Sequence, residues 1–154
     1  MKKSTKAIGM LAIAAAMGFG MMSSISAAER IAYPSTALDG LPYSGAVRAG
    51  DMVYVGGVLG TVQGKPELVA GGIKPEARQA FAHVKTMMEG AGTSLDRAVK
   101  CLVLLANIDD FPAMNEVFRE VFPKDPPTRS TIIVPKIPLN AAVEVECSAL
   151  AGTN

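Results

Sequence analysis

The segment "AVKCLVLLANI", residues 98–108, decides the fold, because its central positions are all apolar. Successive side chains of a strand point to opposite faces of a sheet. One face receives Cys101, Val103 and Leu105, and the other receives Leu102 and Leu104. A strand that is apolar on both faces is normally covered on both sides. The segment "STIIV", residues 130–134, has the same property, so we predict a sheet buried on two faces.

Two helices flank the strand at residues 98–108. Apolar residues at helical spacing predict a first helix from Pro75 to about Gly90. A second helix is expected from a cap at Asp109 or Asp110 to about Phe122. Both helices carry an apolar stripe, so both are predicted to pack on the sheet.

The remaining strands complete an α+β domain. Residues 46–48 and 52–55 are predicted to form a hairpin, and residues 130–134 and 143–150 are the last two strands. The predicted order is β-β-α-β-α-β-β, a mixed sheet with two helices packed on one face. No predicted element remains to cover the other face, so we expect another copy of the chain there, in a homo-oligomer.

The N-terminal segment has the pattern of a secretory signal peptide. Three lysines in the first six residues precede an uncharged apolar run, Ala7–Met22, and small residues follow. We predict a signal peptide at residues 1–28, cleaved near Ala28, and a domain at residues 29–154 that is periplasmic or secreted. The alternative is an uncleaved membrane anchor, although the run is shorter than the roughly 20 residues of a spanning helix.

The charge of residues 29–154 limits the possible partners. This part has 12 basic and 14 acidic residues, without the basic patch that a nucleic-acid-binding protein normally needs. We therefore predict no nucleic-acid partner, and no membrane partner after cleavage. No residue cluster has metal-ligand spacing. The single histidine, His83, falls on the polar side of the first helix with Gln79 and Thr86, and we expect it to be exposed.

The two cysteines, Cys101 and Cys147, lie in apolar strand segments. The simplest interpretation is that they are free thiols acting as small buried hydrophobic residues. In an exported protein they could instead form a disulfide. Their spacing leaves both alternatives open.

Three polar residues stand out in the second half of the chain. Arg129 begins the apolar run of "PPTRSTIIVPKIPL", residues 126–139, where a charge needs a partner. That partner is either an internal glutamate or the carboxylate of a ligand. Glu144 shares one face of the last strand with Glu146; it is either solvated or, at a subunit boundary, a carboxyl of raised pKa that could act as acid or base. Asn115 lies beside the apolar stripe of the second helix, where it could brace a loop or line a pocket.

Three segments of the chain follow one order: "PYSGAVRAGDMVYVGG" (42–57), "EARQAFAHVKTMMEGAGTSLDRAVKCLVLLANIDDFPAMNEVF" (76–118) and "FPKDPPTRSTIIVPKIPLNAAVEVECSAL" (122–150). Together they resemble the RidA family, also called YjgF or the reactive-intermediate deaminases. The most specific part is "PTRS" followed by a strand and "VEVE". The resemblance implies a chorismate-mutase-like α+β fold and a homotrimer with pockets between its subunits. It also implies hydrolysis of amino-acid enamines and imines, such as 2-aminoacrylate, to 2-keto acids and ammonia, without a metal or organic cofactor.

The resemblance also implies roles for single residues. Arg129 matches the arginine that binds the substrate carboxylate, and Glu144 matches the carboxylate that positions the attacking water. Tyr43 matches a tyrosine that lines the pocket, and Gly57 and Thr131 match positions whose backbone contacts the ligand.

Other matches are less complete. Asn115 matches the asparagine of the family's second-helix motif. The family often has serine and glutamine around the glycine at position 57, where this chain has Gly56 and Val58. Thr131 stands where one branch has cysteine. These changes leave the predicted roles of Arg129 and Glu144 in place but alter the pocket wall.

Two classes of function remain after these comparisons of residues. The first is an exported enamine/imine deaminase. The second is a non-catalytic protein that binds small carboxylates or acts as a chaperone. Arg129 together with Glu144 favours the enzyme, because binding a carboxylate requires the arginine but not a glutamate nearby.

Overall fold

The computed structural model describes residues 28–152, and the predicted signal peptide lies outside this range except for its last residue. Within the described residues the chain forms one six-stranded sheet and two α-helices. The strands are β1 (Arg30–Tyr33), β2 (Ala46–Ala49), β3 (Met52–Leu59), β4 (Ala98–Leu105), β5 (Thr128–Ile133) and β6 (Val143–Leu150). The helices are α1 (Ile73–Gly90) and α2 (Phe111–Val121). The α+β class and the mixed sheet are therefore confirmed.

Strand β1 was not predicted, so the predicted order of elements lacks its first strand. The structure has β-β-β-α-β-α-β-β. β1 has only four residues, lies at the edge of the sheet and is mostly exposed. An exposed edge strand has no buried face, so it carries no alternation of apolar and polar residues that a sequence pattern could reveal.

The order of strands across the sheet is β1-β2-β3-β6-β4-β5. All neighbours are antiparallel except β4 and β5, which are parallel. Helix α2 makes the crossover that this parallel pair requires. β5 is consequently an edge strand, and α2 lies next to it in the fold.

The core lies between the sheet and the two helices. Its largest enclosed side chains include Phe81 and Met88 of α1 and Met114 of α2. Phe81 packs edge-to-face against Phe118 and Phe122, with ring centroids 5.8 and 5.7 Å apart. This aromatic contact fixes α2 against α1, and therefore the position of α2 over β5.

The other face of the sheet, which we call the open face, is covered by no helix of the described residues. Its exposed apolar side chains include Tyr54 on β3, Ile132 on β5 and Leu150 on β6, which are 48%, 49% and 45% exposed. Half-buried Leu102 and Leu104 lie between them on β4. The predicted alternation of β4 is confirmed, since Cys101, Val103 and Leu105 are buried on the helix side.

Cys101 and Cys147 form a disulfide. They stand directly opposite each other in the pairing of β4 with β6, and both are buried. The interpretation as free thiols is therefore wrong, although their burial is confirmed. The pairing depends on which strands become neighbours, and sequence spacing does not contain that information.

His83 is buried, not exposed as predicted. Only 2% of it is accessible, and its Nε2 lies 2.7 Å from the carbonyl oxygen of Thr61 and 3.1 Å from the side-chain nitrogen of Gln79. The segment after β3 folds back over this side of α1, so a polar helix face becomes an internal contact. His83 thus ties α1 to the end of β3.

The ends of both helices differ slightly from the prediction. α1 begins two residues before Pro75. Asp110 does occupy the N-cap position of α2, but its side chain makes no capping hydrogen bond. Instead, Asn107 Oδ1 accepts a hydrogen bond from the Asp109 backbone nitrogen at 3.1 Å. A short 3-10 turn at Ile108–Asp110 therefore leads into α2.

Two negative findings concern residues 28–152. None of their helices is long and apolar enough to span a bilayer. No group of three or more histidine, cysteine or acidic side chains there could hold a metal ion.

Candidate active site

The Arg129 side chain lies on the helix side of β5, against α2. Its Nη2 donates a hydrogen bond to Asn115 Oδ1 at 2.7 Å. Its guanidinium carbon is 4.6 Å from the ring centroid of Phe118 and 5.6 Å from that of Phe111, which is within the range of a cation–π contact. Asn115 and the two rings therefore hold the guanidinium in one place.

No carboxylate neutralises Arg129 among the described residues. The ion pairs there join Lys74 to Glu116, Arg78 to Glu120, and Lys85 to Glu89. Burial lowers the pKa of the Arg129 guanidinium, but arginine stays protonated at neutral pH in proteins. The side chain is only half-buried, so a positioned and uncompensated cation remains open to an anion.

Glu144 occupies the open face of β6 and lies against Gly57 of β3. A Cβ atom built on Gly57 would overlap the Glu144 carboxyl oxygen Oε1. The pairing of β3 with β6 is interrupted between Val55 and Val58, and this irregularity holds Gly57. Glycine at position 57 therefore leaves the space that the Glu144 carboxyl fills, and a side chain there would displace that carboxyl.

The environment of Glu144 favours its neutral form. Burial raises the pKa of the Glu144 carboxyl, and the charge of nearby Glu146 raises it further. A carboxyl whose pKa moves toward neutral pH is better suited to exchange protons there. The predicted alternation of β6 is confirmed, since Val143, Val145 and Cys147 are buried on the other side.

Tyr43 lies on the same side of the molecule as Gly57. It is 57% exposed and lines a cavity of about 60 Å³ together with Gly57. The segment that carries Tyr43 is held to β3 by a hydrogen bond from the Gly56 nitrogen to the Gly45 oxygen at 3.2 Å. A Cβ on Gly45 would lie 2.6 Å from the Ser35 Cα. Glycine at position 45 therefore permits the close approach of the two backbone segments at Gly45 and Ser35.

Thr131 follows Arg129 by two positions, so both side chains share the helix side of β5. Its hydroxyl Oγ1 is enclosed and has no hydrogen-bond partner, the one such side-chain atom found among residues 28–152. An enclosed hydroxyl is not accessible to a ligand. A role for Thr131 would therefore depend on its backbone, which the edge position of β5 leaves partly unpaired.

The structure thus separates the predicted site residues into two groups. The first, which we call the cation group, consists of Arg129, Asn115 and Thr131. The second, which we call the glutamate group, consists of Glu144, Gly57 and Tyr43.

Strand register shows how far apart the two groups are. Arg129 is level with Cys101 of β4, and Glu144 is level with Leu104. Leu104 lies three residues from Cys101 along β4, and three residues of a strand span about 10 Å. Moreover, Arg129 lies on the helix side and Glu144 on the open face. One chain alone does not bring the two groups together.

Residues 36–151 match the protein family described as endoribonuclease L-PSP. The chain belongs to this family, which is the RidA/YjgF family. It is 42% identical over 105 residues to a 2-iminobutanoate/2-iminopropanoate deaminase of Dermatophagoides farinae, covering 68% of this chain and 82% of that protein.

Two further relatives of this RidA/YjgF member are a fly protein and a bacterial one. The chain is 41% identical over 112 residues to the RutC family protein UK114 of Drosophila melanogaster, covering 73% of this chain and 81% of the relative. The structure of E. coli TdcF with bound serine matches with a TM-score of 0.73 and 28% identity, over 79% of this chain and 98% of TdcF.

Sequence reasoning missed the aromatic support of Arg129 in this RidA/YjgF chain. The sequence predicted only an apolar stripe on the second helix, and Phe118 and Phe111 belong to that stripe. The missing signal is a distance across the fold, because Phe118 and Arg129 are brought together by the crossover from β4 to β5. Asn115 was predicted to brace a loop or to line a pocket; in the structure its Oδ1 instead accepts a hydrogen bond from the Arg129 side chain.

Proposed function

We propose that this protein hydrolyses enamine and imine forms of amino acids to 2-keto acids and ammonia, as a 2-iminobutanoate/2-iminopropanoate deaminase-type hydrolase. The observation that carries this proposal is the uncompensated guanidinium of Arg129, held by Asn115 and Phe118. An amino-acid imine carries the carboxylate that such a group binds with two parallel hydrogen bonds. The name of the related deaminase and the serine bound to TdcF agree with a small amino-acid-like substrate.

Glu144 supplies the second requirement, a group that places water and accepts its proton. In the proposed reaction an enamine first gains a proton on carbon and becomes the imine. The water oxygen then forms a bond to the imine carbon while a water proton passes to Glu144. The π electrons of the carbon–nitrogen double bond move to nitrogen, and Glu144 passes its proton on to that nitrogen. The hydroxyl group then gives up the second water proton to nitrogen as the carbon–nitrogen bond breaks, so that ammonia leaves and a 2-keto acid remains. Positioned acid–base help of this kind contributes about 10²–10⁴-fold in rate.

The proposal requires assembly, because Arg129 and Glu144 of one chain lie on opposite sides of its sheet. We propose a homotrimer in which the cation group of one chain and the glutamate group of its neighbour form each site. The apolar open face supports this assembly, since exposed Tyr54, Ile132 and Leu150 would be buried by another copy. Large exposed apolar patches commonly mark such contacts.

We further propose that the protein acts after export, in the periplasm or outside the cell. The Cys101–Cys147 disulfide supports this location, because disulfides persist mainly in oxidising compartments. An exported deaminase would meet imines formed outside the cytoplasm.

The test of this function is the rate at which a keto acid appears from an imine made by an amino-acid oxidase. We expect the purified protein to accelerate release over the spontaneous rate, and Arg129→Ala to lower kcat/KM about 100-fold or more, since it removes a charge-assisted contact. The matched control is Arg119→Ala, which removes an exposed cation from α2 and should retain activity.

Equal rates for the wild-type protein and Arg129→Ala would contradict the proposal. Binding of a keto acid without any acceleration of hydrolysis would indicate the alternative, a non-catalytic carboxylate-binding protein.

A further inference from the structure

A row of side chains crosses the helix side of the sheet at the level of the disulfide. Val55 of β3 lies opposite Cys147 of β6, which lies opposite Cys101 of β4. Cys101 is in turn level with Arg129 of β5. The disulfide therefore occupies the middle of the row, and Arg129 ends the row at the edge of the sheet.

The row is enclosed at every member except Arg129. Val55, Cys147 and Cys101 are each exposed by 1% or less, and Ala46, which pairs with Val55 on the far side, is buried as well. Arg129 is half-buried. Because protein interiors are close-packed, a change of volume inside the row has to move a neighbour. Among these five residues, Arg129 is the one with free space beside it.

Reduction of the disulfide changes the interior of this row. It replaces one covalent bond with two thiols, whose sulfur atoms stand farther apart than bonded sulfurs do. It also removes the covalent link between β4 and β6. Since the edge strand β5 pairs with β4 alone, both changes are passed on to the strand that carries Arg129.

The position of the Arg129 guanidinium is sensitive to such a change. Its hydrogen bond to Asn115 measures 2.7 Å, so a displacement of roughly 1 Å would carry the two atoms beyond hydrogen-bond distance. The contact with the Phe118 ring, at 4.6 Å, would change with it. A misplacement of this size can cost about 10²-fold in the rate of an enzyme.

We infer that the Cys101–Cys147 disulfide is a redox switch that positions Arg129, so that the protein binds a carboxylate well when the bond is formed and weakly when it is reduced. The inference rests on the proposed function and adds the regulation of that site. Each thiol loses one proton and one electron as the sulfur–sulfur bond forms, and a disulfide of the oxidising compartment takes them up and becomes a dithiol. A chain kept in a reducing compartment would therefore gain affinity only after export.

The first experiment observes Arg129 without any ligand. The protein carries ¹⁵N-arginine, and the Nε–H signal of Arg129 is assigned by its absence in Arg129→Ala. Reduced protein is made with dithiothreitol during a brief exposure to urea, because both sulfurs are buried, and iodoacetamide labelling of two thiols confirms its state. We expect the Arg129 signal to shift on reduction while the signal of exposed Arg119 on α2 stays in place. An unchanged Arg129 signal in a folded, reduced protein would overturn the inference.

The second experiment measures carboxylate binding in the two redox states. Calorimetry with 2-ketobutyrate should give a Kd about tenfold higher for the reduced protein, since a displaced guanidinium loses a charge-assisted hydrogen bond. In turnover of the corresponding imine, KM should rise while kcat changes much less, which is the sign of lost binding and not of general damage. Equal Kd values in the two states would contradict the inference.

Two sets of variants serve as controls. Cys101→Ala/Cys147→Ala should have the same Kd with and without dithiothreitol, and Cys101→Val/Cys147→Ala is the replacement if that variant does not fold. In Arg129→Ala, reduction should leave kcat/KM nearly unchanged, and a loss as large as that of wild type would show that the bond does not act through Arg129.

These measurements separate failure of the switch from failure of the proposed function. If no imine is hydrolysed faster, the deaminase proposal fails, and the ligand-free signal of Arg129 still decides on the switch. If imines are hydrolysed equally well by oxidised and reduced protein, the deaminase proposal stands and the switch is wrong.

Discussion

The cation group and the glutamate group differ in how the fold holds them. Arg129 is fixed from within its own chain, by an amide on α2 and by two aromatic rings. Glu144 lies on an uncovered sheet face, and its position depends on the missing side chain of Gly57. The difference indicates that the guanidinium of Arg129 is preorganised in each chain, whereas the surroundings of the Glu144 carboxyl depend on what covers the open face.

The largest expected effect concerns Glu144 of the glutamate group. Glu144→Gln keeps the size of the side chain but removes the base, so kcat should fall about 10²–10⁴-fold, while keto-acid binding should stay close to wild type. Steady-state kinetics and calorimetry on one preparation measure both quantities. The wild-type rate should rise with pH through the raised pKa of Glu144, and this rise should be absent in the variant. Equal turnover in the two proteins would remove Glu144 from the mechanism.

Stability provides a separate check on the same variant. A raised pKa means that the folded protein holds the Glu144 proton more tightly than the unfolded chain does. Stability contributed by this group is therefore present at acidic pH and is lost as the pH rises through the raised pKa. We expect Glu144→Gln to be more stable than wild type at neutral pH, with the difference disappearing in acid. A thermal-unfolding series across pH measures it.

The next effect concerns the cation group. Asn115→Asp would place a carboxylate 2.7 Å from Arg129 Nη2, where the amide oxygen now accepts a hydrogen bond. The guanidinium would then have an internal partner, so affinity for keto acids should fall about tenfold to 100-fold. Asn107→Asp is the control, because it makes the same change at an exposed position. Undiminished affinity in Asn115→Asp would contradict the role of Arg129 as a free receptor.

The disulfide provides a test of the link between the two groups. It joins β6, which carries Glu144, to β4, which pairs with the strand that carries Arg129. Replacing both cysteines with alanine should lower the free energy of unfolding by about 2–4 kcal/mol. Urea titration with and without a reductant measures this loss. Wild type under reducing conditions should resemble the variant, and no response to reductant would contradict a structural disulfide.

The smallest effect is expected at His83, which supports the wall of the cavity that Tyr43 and Gly57 line. His83 contacts the Thr61 carbonyl, and Thr61 lines that cavity. His83→Ala leaves a buried carbonyl without this partner, so the free energy of unfolding should fall by about 1–3 kcal/mol. His83→Asn keeps a donor and should recover part of the loss. Chemical denaturation of the three proteins makes the comparison.

Several features could be predicted from the sequence because they depend on alternation within one strand. The two apolar faces of β4 and the separation of Glu144 from Val143 and Val145 are of this kind. Arg129 was recognisable because a charge at the start of an apolar strand requires a partner.

Features that depend on contact between distant segments could not be predicted. The Cys101–Cys147 bond requires β6 to lie beside β4, and the burial of His83 requires the segment after β3 to fold back over α1. β1 was missed because an exposed edge strand has no buried face. The roles of the site residues stay predictions until the variants are measured.

The placement of Arg129 and Glu144 on opposite sides of one sheet has a consequence for control. If each active site is formed by residues of two neighbouring chains, an isolated chain is inactive even when it is fully folded. Specific activity should then decline when the protein is diluted past the point of dissociation. The amount of protein in the compartment would thereby govern not only how many centres exist but whether any exist at all.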